Sequence, residues 1–353
     1  MTSTSSTSAT AWRYHKRGIL PVTLKKEDVP VRALKADEVL IKVHAAALNP
    51  VDWKIASIMP SFINKVPHTA AADFAGEVVS VKAGSESQKR QWLATGTRVF
   101  GIVPAEETMK TGEGALSTYL IAKPSLLSPI PSTMSYEEAS GITLTGLTAA
   151  TLASSVKSGD RVLILGGTTS VGLLLIQMCK AEGASLVVAT ASTEKISAVI
   201  KAGAHKVIDY RKDDVEATLK AEYGSDPFDY ILDCVGAFDT YYASPGYLKQ
   251  KGAYLNVGAS SLDITRLRAS VLDYVKNTIS TLLLPSWLGG TPRKYSVIGL
   301  DAKYMDKLSN YVSSGKVQPK VDSIFKFDEA PKAYEHLIKG RALGKVVVSV
   351  ASD

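Results

Sequence analysis

Val162–Leu163–Ile164–Leu165–Gly166–Gly167–Thr168–Thr169–Ser170–Val171–Gly172 reads as a strand, a tight glycine turn and the first turn of a helix continuing from Leu173 to Lys180. Four consecutive apolar side chains suit a strand covered on both faces. A helix that opens on a glycine turn presents unpaired backbone N–H groups and the positive end of its dipole, which together suit a pyrophosphate. In a dinucleotide fingerprint, glycines permit the turn, the approach of the pyrophosphate and close packing of helix on strand. Gly166 and Gly172 fit the first and last of these roles. Thr169 stands where the middle glycine belongs, with a hydroxyl to offer a phosphate instead, and Thr168, Ser170 and Val171 complete the candidate loop. On spacing alone, a turn that merely joins strand to helix stays open as the alternative.

Outward from this stretch the rhythm is strand–helix–strand. Strands are predicted over 161–165, 186–190, 206–209, 229–233 and 253–257, with helices over 171–182, 193–202, 215–223 and 239–248. Near-continuous apolar strands separated by helices imply a parallel, doubly wound sheet, an α/β fold. Dinucleotide folds that take NAD place a carboxylate about 20 residues beyond the glycines, to hold the ribose hydroxyls. Here Ser192 stands at that distance from Gly172, after Thr190 and shortly before Lys195. Hydroxyls and an ammonium suit a 2′-phosphate, so NADPH is the expected cofactor. Tyr210 and Arg211 follow the next strand, where they close over the adenine and add positive charge. Pairing of Lys195 with Glu194 on a helix surface is the alternative for that lysine. The segments Asp233–Cys234–Val235–Gly236 and Asn256–Val257–Gly258–Ala259 follow the fourth and fifth strands, and loops at strand C-terminal ends line the crevice of such a sheet. Cys234 is read as a small buried thiol in preference to a nucleophile, because no histidine stands near it in sequence.

Before this region, strands are predicted over 39–45, 74–81 and 97–103 without long helices between them, a compact β domain. A helix from Tyr136 towards Ala153 is capped by Ser135, with Glu137 and Glu138 in its first turn. The tail carries helices over 304–313 and 329–339 and a final strand over 345–350; residues 282–290 read as an apolar loop.

The chain has 353 residues, room for two cores. Hydrophobic content of 45% and charged content of 21% are those of an ordinary soluble protein, with no apolar run long enough to span a bilayer. The formal charge of +7 is spread along the chain, so nucleic-acid binding is not expected. Two cysteines, Cys179 and Cys234, both in apolar segments, suggest a reducing compartment. The Ser/Thr-rich, acid-free residues 1–10 prompt the thought of a transit peptide, but 11–18 already read as strand and turn. A ragged terminus and a cytoplasmic protein are expected.

Further motifs are Asn49–Pro50–Val51–Asp52–Trp53–Lys54, Asp73–Phe74–Ala75–Gly76–Glu77–Val78, Thr143–Leu144–Thr145–Gly146–Leu147–Thr148–Ala149 and Gly344–Lys345–Val346–Val347. With the glycine turn, in this order and spacing, the chain resembles the medium-chain dehydrogenase/reductase superfamily over essentially its whole length. The resemblance implies a GroES-like catalytic domain over 1–128 and 308–353, interrupted by a Rossmann NADPH-binding domain over 129–307. The zinc alcohol dehydrogenases of that superfamily hold their metal with Cys and His. Here 49–52 carry no cysteine, 73–76 lack the expected Gly-His-Glu, and no four-cysteine lobe exists, so no metal site is expected.

The chain is therefore similar to the zinc-independent quinone oxidoreductases and enoyl reductases, including fungal trans-acting enoyl reductases. That likeness implies hydride transfer from NADPH to an electron-poor alkene or a quinone. Asn49, Asp52, Lys54 and Thr145 match residues facing the nicotinamide, and Lys345 matches a residue of the cofactor site. Lys54 is a candidate to orient the cofactor, stabilise an enolate or relay a proton. Its alternative is a solvated lysine after a turn. For Asp52 the alternative is capping of a helix that begins at Trp53. The tyrosine that quinone reductases often carry beyond this loop is missing from Ile58–Met59–Pro60–Ser61–Phe62. Its absence keeps open a second reading, a non-enzymatic NADPH-binding sensor or scaffold. A homodimer is expected from the resemblance. Leu282–Leu283–Leu284 and Trp287 are candidates for a weak membrane or partner contact.

Overall fold

The structure is a computed structural model that describes residues 8–60, 62–64, 66–258, 267–283, 286–288 and 290–351. The first seven residues, Ser61, Ala259 and Leu284 lie outside the described residues. The chain divides into two compact units. One is Met1–Thr145 with Ala302–Ser313 and Pro319–Asp353; the other is Gly146–Asp301 with Ser314–Gln318.

The second unit is built on six strands, β1 (Arg161–Leu165), β2 (Leu186–Ala191), β3 (Lys206–Asp209), β4 (Phe228–Asp233), β5 (Leu248–Asn256) and β6 (Lys294–Val297). Their order is β3-β2-β1-β4-β5-β6, all parallel. Chain direction across the sheet reverses between β1 and β4, so the loops after those two strands open the crevice in which ligands of such sheets bind. Leu163, Val188, Ile208, Phe228, Ile231 and Tyr254 fill the core. This is the doubly wound sheet read from the sequence, with three corrections. The helix expected over 239–248 stops early, as Phe238–Ala243 and a 3-10 turn at Ser244–Gly246, because Pro245 and Gly246 end it and Leu248 is already in β5. The apolar loop expected over 282–290 is in part a helix, Leu267–Leu283, followed by a 3-10 turn at Ser286–Leu288. That helix and β6 carry no reading in the sequence. The helix buries Ser270 and Thr281 and exposes Leu272, Val275, Ile279 and Leu283 beside Asp273 and Lys276, so its aliphatics do not form the inward stripe of the usual amphipathic arrangement.

In the first unit a seven-stranded sheet runs Val321–Lys326, Lys345–Ser349, Glu38–Leu48, Asp73–Lys82, Arg98–Ile102 and Leu127–Pro129, with Tyr119–Ala122 also pairing Glu38–Leu48. Apart from the first pair, which is parallel, neighbours are antiparallel. A three-stranded sheet, Leu24–Pro30, Ser8–Tyr14 and His68–Thr69, completes the β domain. The expected helix from Tyr136 to Ala153 is two helices, Tyr136–Ser140 and Thr143–Ala153. Ser135 caps the first, its Oγ accepting from the Glu138 N–H at 3.1 Å while its own N–H donates to the Glu138 carboxylate at 3.0 Å. Leu127–Pro129 pairs with Arg98–Ile102, so this unit continues past residue 128, the boundary expected from sequence, to Thr145. No described helix is long and apolar enough to cross a membrane.

Candidate functional site

Gly166 adopts a left-handed φ of +76° at the C-terminal end of β1, a conformation that favours glycine. Its N–H donates to Thr190 Oγ1 at 2.9 Å, and the Gly167 N–H donates to the Thr190 carbonyl at 2.9 Å. A Cβ at Gly172 would collide with the Gly166 carbonyl and lie 2.9 Å from Gly167 Cα, so the helix Ser170–Ala181 starts as close to the turn as backbone allows. Thr169 is the N-cap. Its Oγ1 accepts from the Gly172 N–H and donates to the Gly166 carbonyl, both at 2.9 Å. The departure from the glycine fingerprint is therefore a capping residue. Gly166, Gly167 and Gly172 are buried while Thr168–Val171 form a partly exposed tip. Ser170 and Val171, in the first turn, have N–H groups without an intrahelical acceptor, as an anion site requires.

The loop after β4 is organised by Asp233, the first residue of the segment read from the sequence, in a role that reading did not assign. Asp233 is buried, and its Oδ1 accepts from the Val235 and Gly236 N–H groups, both at 2.8 Å. Its Oδ2 accepts from the Ala237 N–H at 2.7 Å and the Tyr254 hydroxyl at 2.8 Å. Burial raises this carboxyl above the ordinary range, and the four donors act against that. Because the amides of Val235 and Gly236 are spent on Asp233, these residues offer a ligand shape and not N–H donors. Gly258 packs on them so tightly that a Cβ there would collide with the Val235 and Gly236 backbone. Val257 donates its N–H to the Asp233 carbonyl at 2.9 Å. Burial drives the thiols of Cys179 and Cys234 far up, which leaves neither as a thiolate nucleophile.

At the end of β2, Thr190 is buried and occupied with the glycine turn. The Ser192 hydroxyl donates to the Glu194 carboxylate at 2.9 Å. Hydrogen bonds from its own N–H and from Ser192, with the charges of Arg211 and Lys195, hold Glu194 below the ordinary range. Tyr210 is 47% exposed, with the Arg211 guanidinium 5.6 Å from its ring. Two cations thus surround one carboxylate where a 2′-phosphate was expected.

In the first unit, sheet register assembles a buried polar cluster. Val346 pairs with Leu48, which sets Lys345 opposite Asn49, and Ala47 pairs with Asp73 on the other side. Lys345 Nζ donates to Asn49 Oδ1 at 2.5 Å and to Asp73 Oδ2 at 3.2 Å, and Asn49 Nδ2 donates to Asp73 Oδ2 at 3.0 Å. Asp73 Oδ1 accepts the Leu144 N–H at 2.8 Å. Lys345, expected at a cofactor, is here spent on protein partners. The following helix begins at Pro50, not Trp53, with Asn49 as its N-cap, and Asp52 does take part in capping it, as the N3 half of a capping box with Asn49. Asp52 Oδ2 accepts from the Asn49 N–H at 2.8 Å and from the Tyr334 hydroxyl at 3.3 Å. Burial, opposed by the Asn49 N–H and the Lys345 charge, pushes its carboxyl up to about 7. Lys54 sits with its ammonium 5.6 Å from the Trp53 ring, and burial lowers its pKa. The Thr145 hydroxyl donates to the Gly141 carbonyl at 2.9 Å. Sequence reasoning missed Tyr334, whose only signal was its place in an amphipathic helix, and the partners of Asp73.

Residues 35–132 match the family model of the alcohol dehydrogenase GroES-like domain and residues 202–348 that of the zinc-binding dehydrogenases. A trans-enoyl reductase of Aspergillus terreus is 34% identical over 327 residues, 90% of this chain and 87% of the relative. The chain belongs to the medium-chain dehydrogenase/reductase superfamily. Further relatives of this medium-chain reductase include a 2-methylene-furan-3-one reductase of Solanum lycopersicum, 31% identical over 96% of this chain and 78% of the relative. The structure of a quinone oxidoreductase from Coxiella burnetii aligns with a TM-score of 0.75 at 27% identity, over 98% of this chain and all of the other. The protein is an oxidoreductase acting on small molecules, and its family is NAD(P)-dependent. The residues do not fit the zinc that the second family model's description implies. Cysteine is absent from 49–54. Asp73 is occupied by Leu144, Asn49 and Lys345, and among the described residues no three His, Cys, Asp or Glu side chains gather as ligands.

Proposed function

We propose that this medium-chain reductase transfers hydride from NADPH to the β-carbon of an enone or enoyl compound, or to a quinone, without zinc. The observation that carries the reading is the capped glycine turn, with the N–H groups of Ser170 and Val171 at its helix start and Lys195 and Arg211 at the strand end. The dinucleotide, when bound, supplies the hydride. Ser170 and Val171 would hold its pyrophosphate, and Lys195 and Arg211 the 2′-phosphate, displacing part of Glu194's pairing. Asn49, Asp52, Lys54 and Thr145 are the proposed nicotinamide-side residues. Burial lowers Lys54, which holds its proton less firmly than a free lysine, and raises Asp52 to about 7, where it can exchange a proton near neutrality. The names of the relatives support an alkene or quinone acceptor. A cytoplasmic location and a homodimer go with this reading.

Purified protein incubated with NADPH and a panel of enones, enoyl thioesters and quinones tests it. Deuterium from labelled NADPH should appear at the β-carbon of the reduced alkene, and elemental analysis should find no stoichiometric zinc. Tight NADPH binding without oxidation by any acceptor would overturn the assignment.

A further inference from the structure

We infer that Asp73 and Lys345 are positioning residues of this reductase, a buried charge pair that fixes the Asn49 amide and the start of the helix carrying Thr145. The inference rests on the function proposed above. Asn49, Asp73 and Lys345 are 1%, 0% and 3% exposed, and they come from distant parts of the chain. An ion pair this deep gives little net stability over apolar residues of the same shape. What it provides is orientation. Lys345 holds the amide oxygen of Asn49 and Asp73 holds its nitrogen, so the side chain has one way to face, while its backbone N–H is fixed by Asp52. The other oxygen of Asp73 takes the Leu144 N–H in the first turn of Thr143–Ala153, and a carboxylate there also complements the helix dipole. Thr145 is the next residue. The lysine stem runs under Gly141, where a Cβ would lie 2.8 Å from Lys345 Cγ, so the turn between the two helices is moulded to it.

The test compares full-length wild type with Asp73→Asn, Lys345→Met and the double variant. Each single variant strands a buried charge or its partner, and both should melt well below wild type. The double variant removes both charges and should recover most of that loss. Its kcat should nevertheless fall at least about tenfold, with KM for NADPH within about twofold, because misplacement of site groups costs rate more than cofactor binding. Amide hydrogen exchange at 143–146 and 49–52 should quicken at least about tenfold in the double variant while β1 is unchanged. A double variant with wild-type kcat, or with unchanged exchange in both segments, overturns the inference. If wild type oxidises no NADPH with any acceptor, the proposed function fails, and the exchange experiment still decides whether the pair orders these segments.

Discussion

Asp233→Asn should be among the costliest isosteric changes in the nucleotide-binding unit. The carboxylate accepts two hydrogen bonds on each oxygen, three of them from consecutive backbone N–H groups and one from Tyr254, at 2.7–2.8 Å. An asparagine must turn its NH₂ towards one of those two pairs. Turned to the first pair it strands the Val235 and Gly236 N–H groups; turned to the second it strands the Ala237 N–H, the Tyr254 hydroxyl keeping the Ala237 carbonyl at 2.9 Å. Each stranded donor costs about 1–3 kcal/mol, and the bonds that remain lose their charge assistance. Relief from burying a charge offsets part of this, so a net loss of about 2–4 kcal/mol is expected. For a unit of this size that lowers Tm by roughly 5–15 °C. Tyr254→Phe removes one donor and leaves the carboxylate its three amides, and should cost only about 1 kcal/mol. In the double variant the hydroxyl whose bond to residue 233 both singles disturb is gone, so its cost should be less than the sum of the singles. Calorimetry of the full-length variants measures all three. Because Gly166 and Gly258 both pack on the loop that Asp233 shapes, NADPH should also bind several-fold more weakly to Asp233→Asn and near normally to Tyr254→Phe. An Asp233→Asn protein that melts with wild type, or an additive double variant, would refute the reasoning.

Three further outcomes are expected. Asp52 is raised to about 7 in the folded protein against about 4 in the unfolded chain. Between those pH values the native state binds a proton that the unfolded state has lost, so the contribution of Asp52 to stability falls as pH rises through the window. Denaturant titrations from pH 4 to 8 should show Asp52→Asn gaining on wild type with rising pH, and parallel curves would exclude the effect. Gly172→Ala places a Cβ against the Gly166 carbonyl, a backbone clash that should cost about 1–3 kcal/mol. It should also weaken NADPH binding by more than about tenfold, since the approach of phosphate to the turn depends on it; unchanged affinity would separate the turn from the nucleotide. Lys195→Ala should raise KM for NADPH far more than for NADH in steady-state assays, and equal effects on the two would remove its phosphate role.

What was legible in the sequence divides by the range of the interactions involved. The strands β1 to β4 and the buried second half of β5 could be read because their burial is written in their own residues, whereas the polar start of β5, Lys249–Lys251, carries no such signal. The edge strand β6 is four residues with exposed Lys294 and Val297, and the helix Leu267–Leu283 buries hydroxyls and exposes aliphatics, so neither obeys the pattern that local reading relies on. The same boundary runs through the candidate sites. The glycine turn is local, and even its irregular Thr169 has a local cause, the cap it makes three residues on. Asp73 and Lys345 stood in motifs that were noticed, yet their partnership depends on the register Val346 to Leu48 and Ala47 to Asp73. Register is a property of paired strands, and a shift by one residue would turn Lys345 to the opposite face. A lysine next to a glycine near the end of a chain therefore reads as a free cation for a cofactor until the sheet supplies its neighbours. Once it does, the ammonium has an amide and a carboxylate within reach and no charge to spare, and its contribution to the reaction passes to the residues it holds.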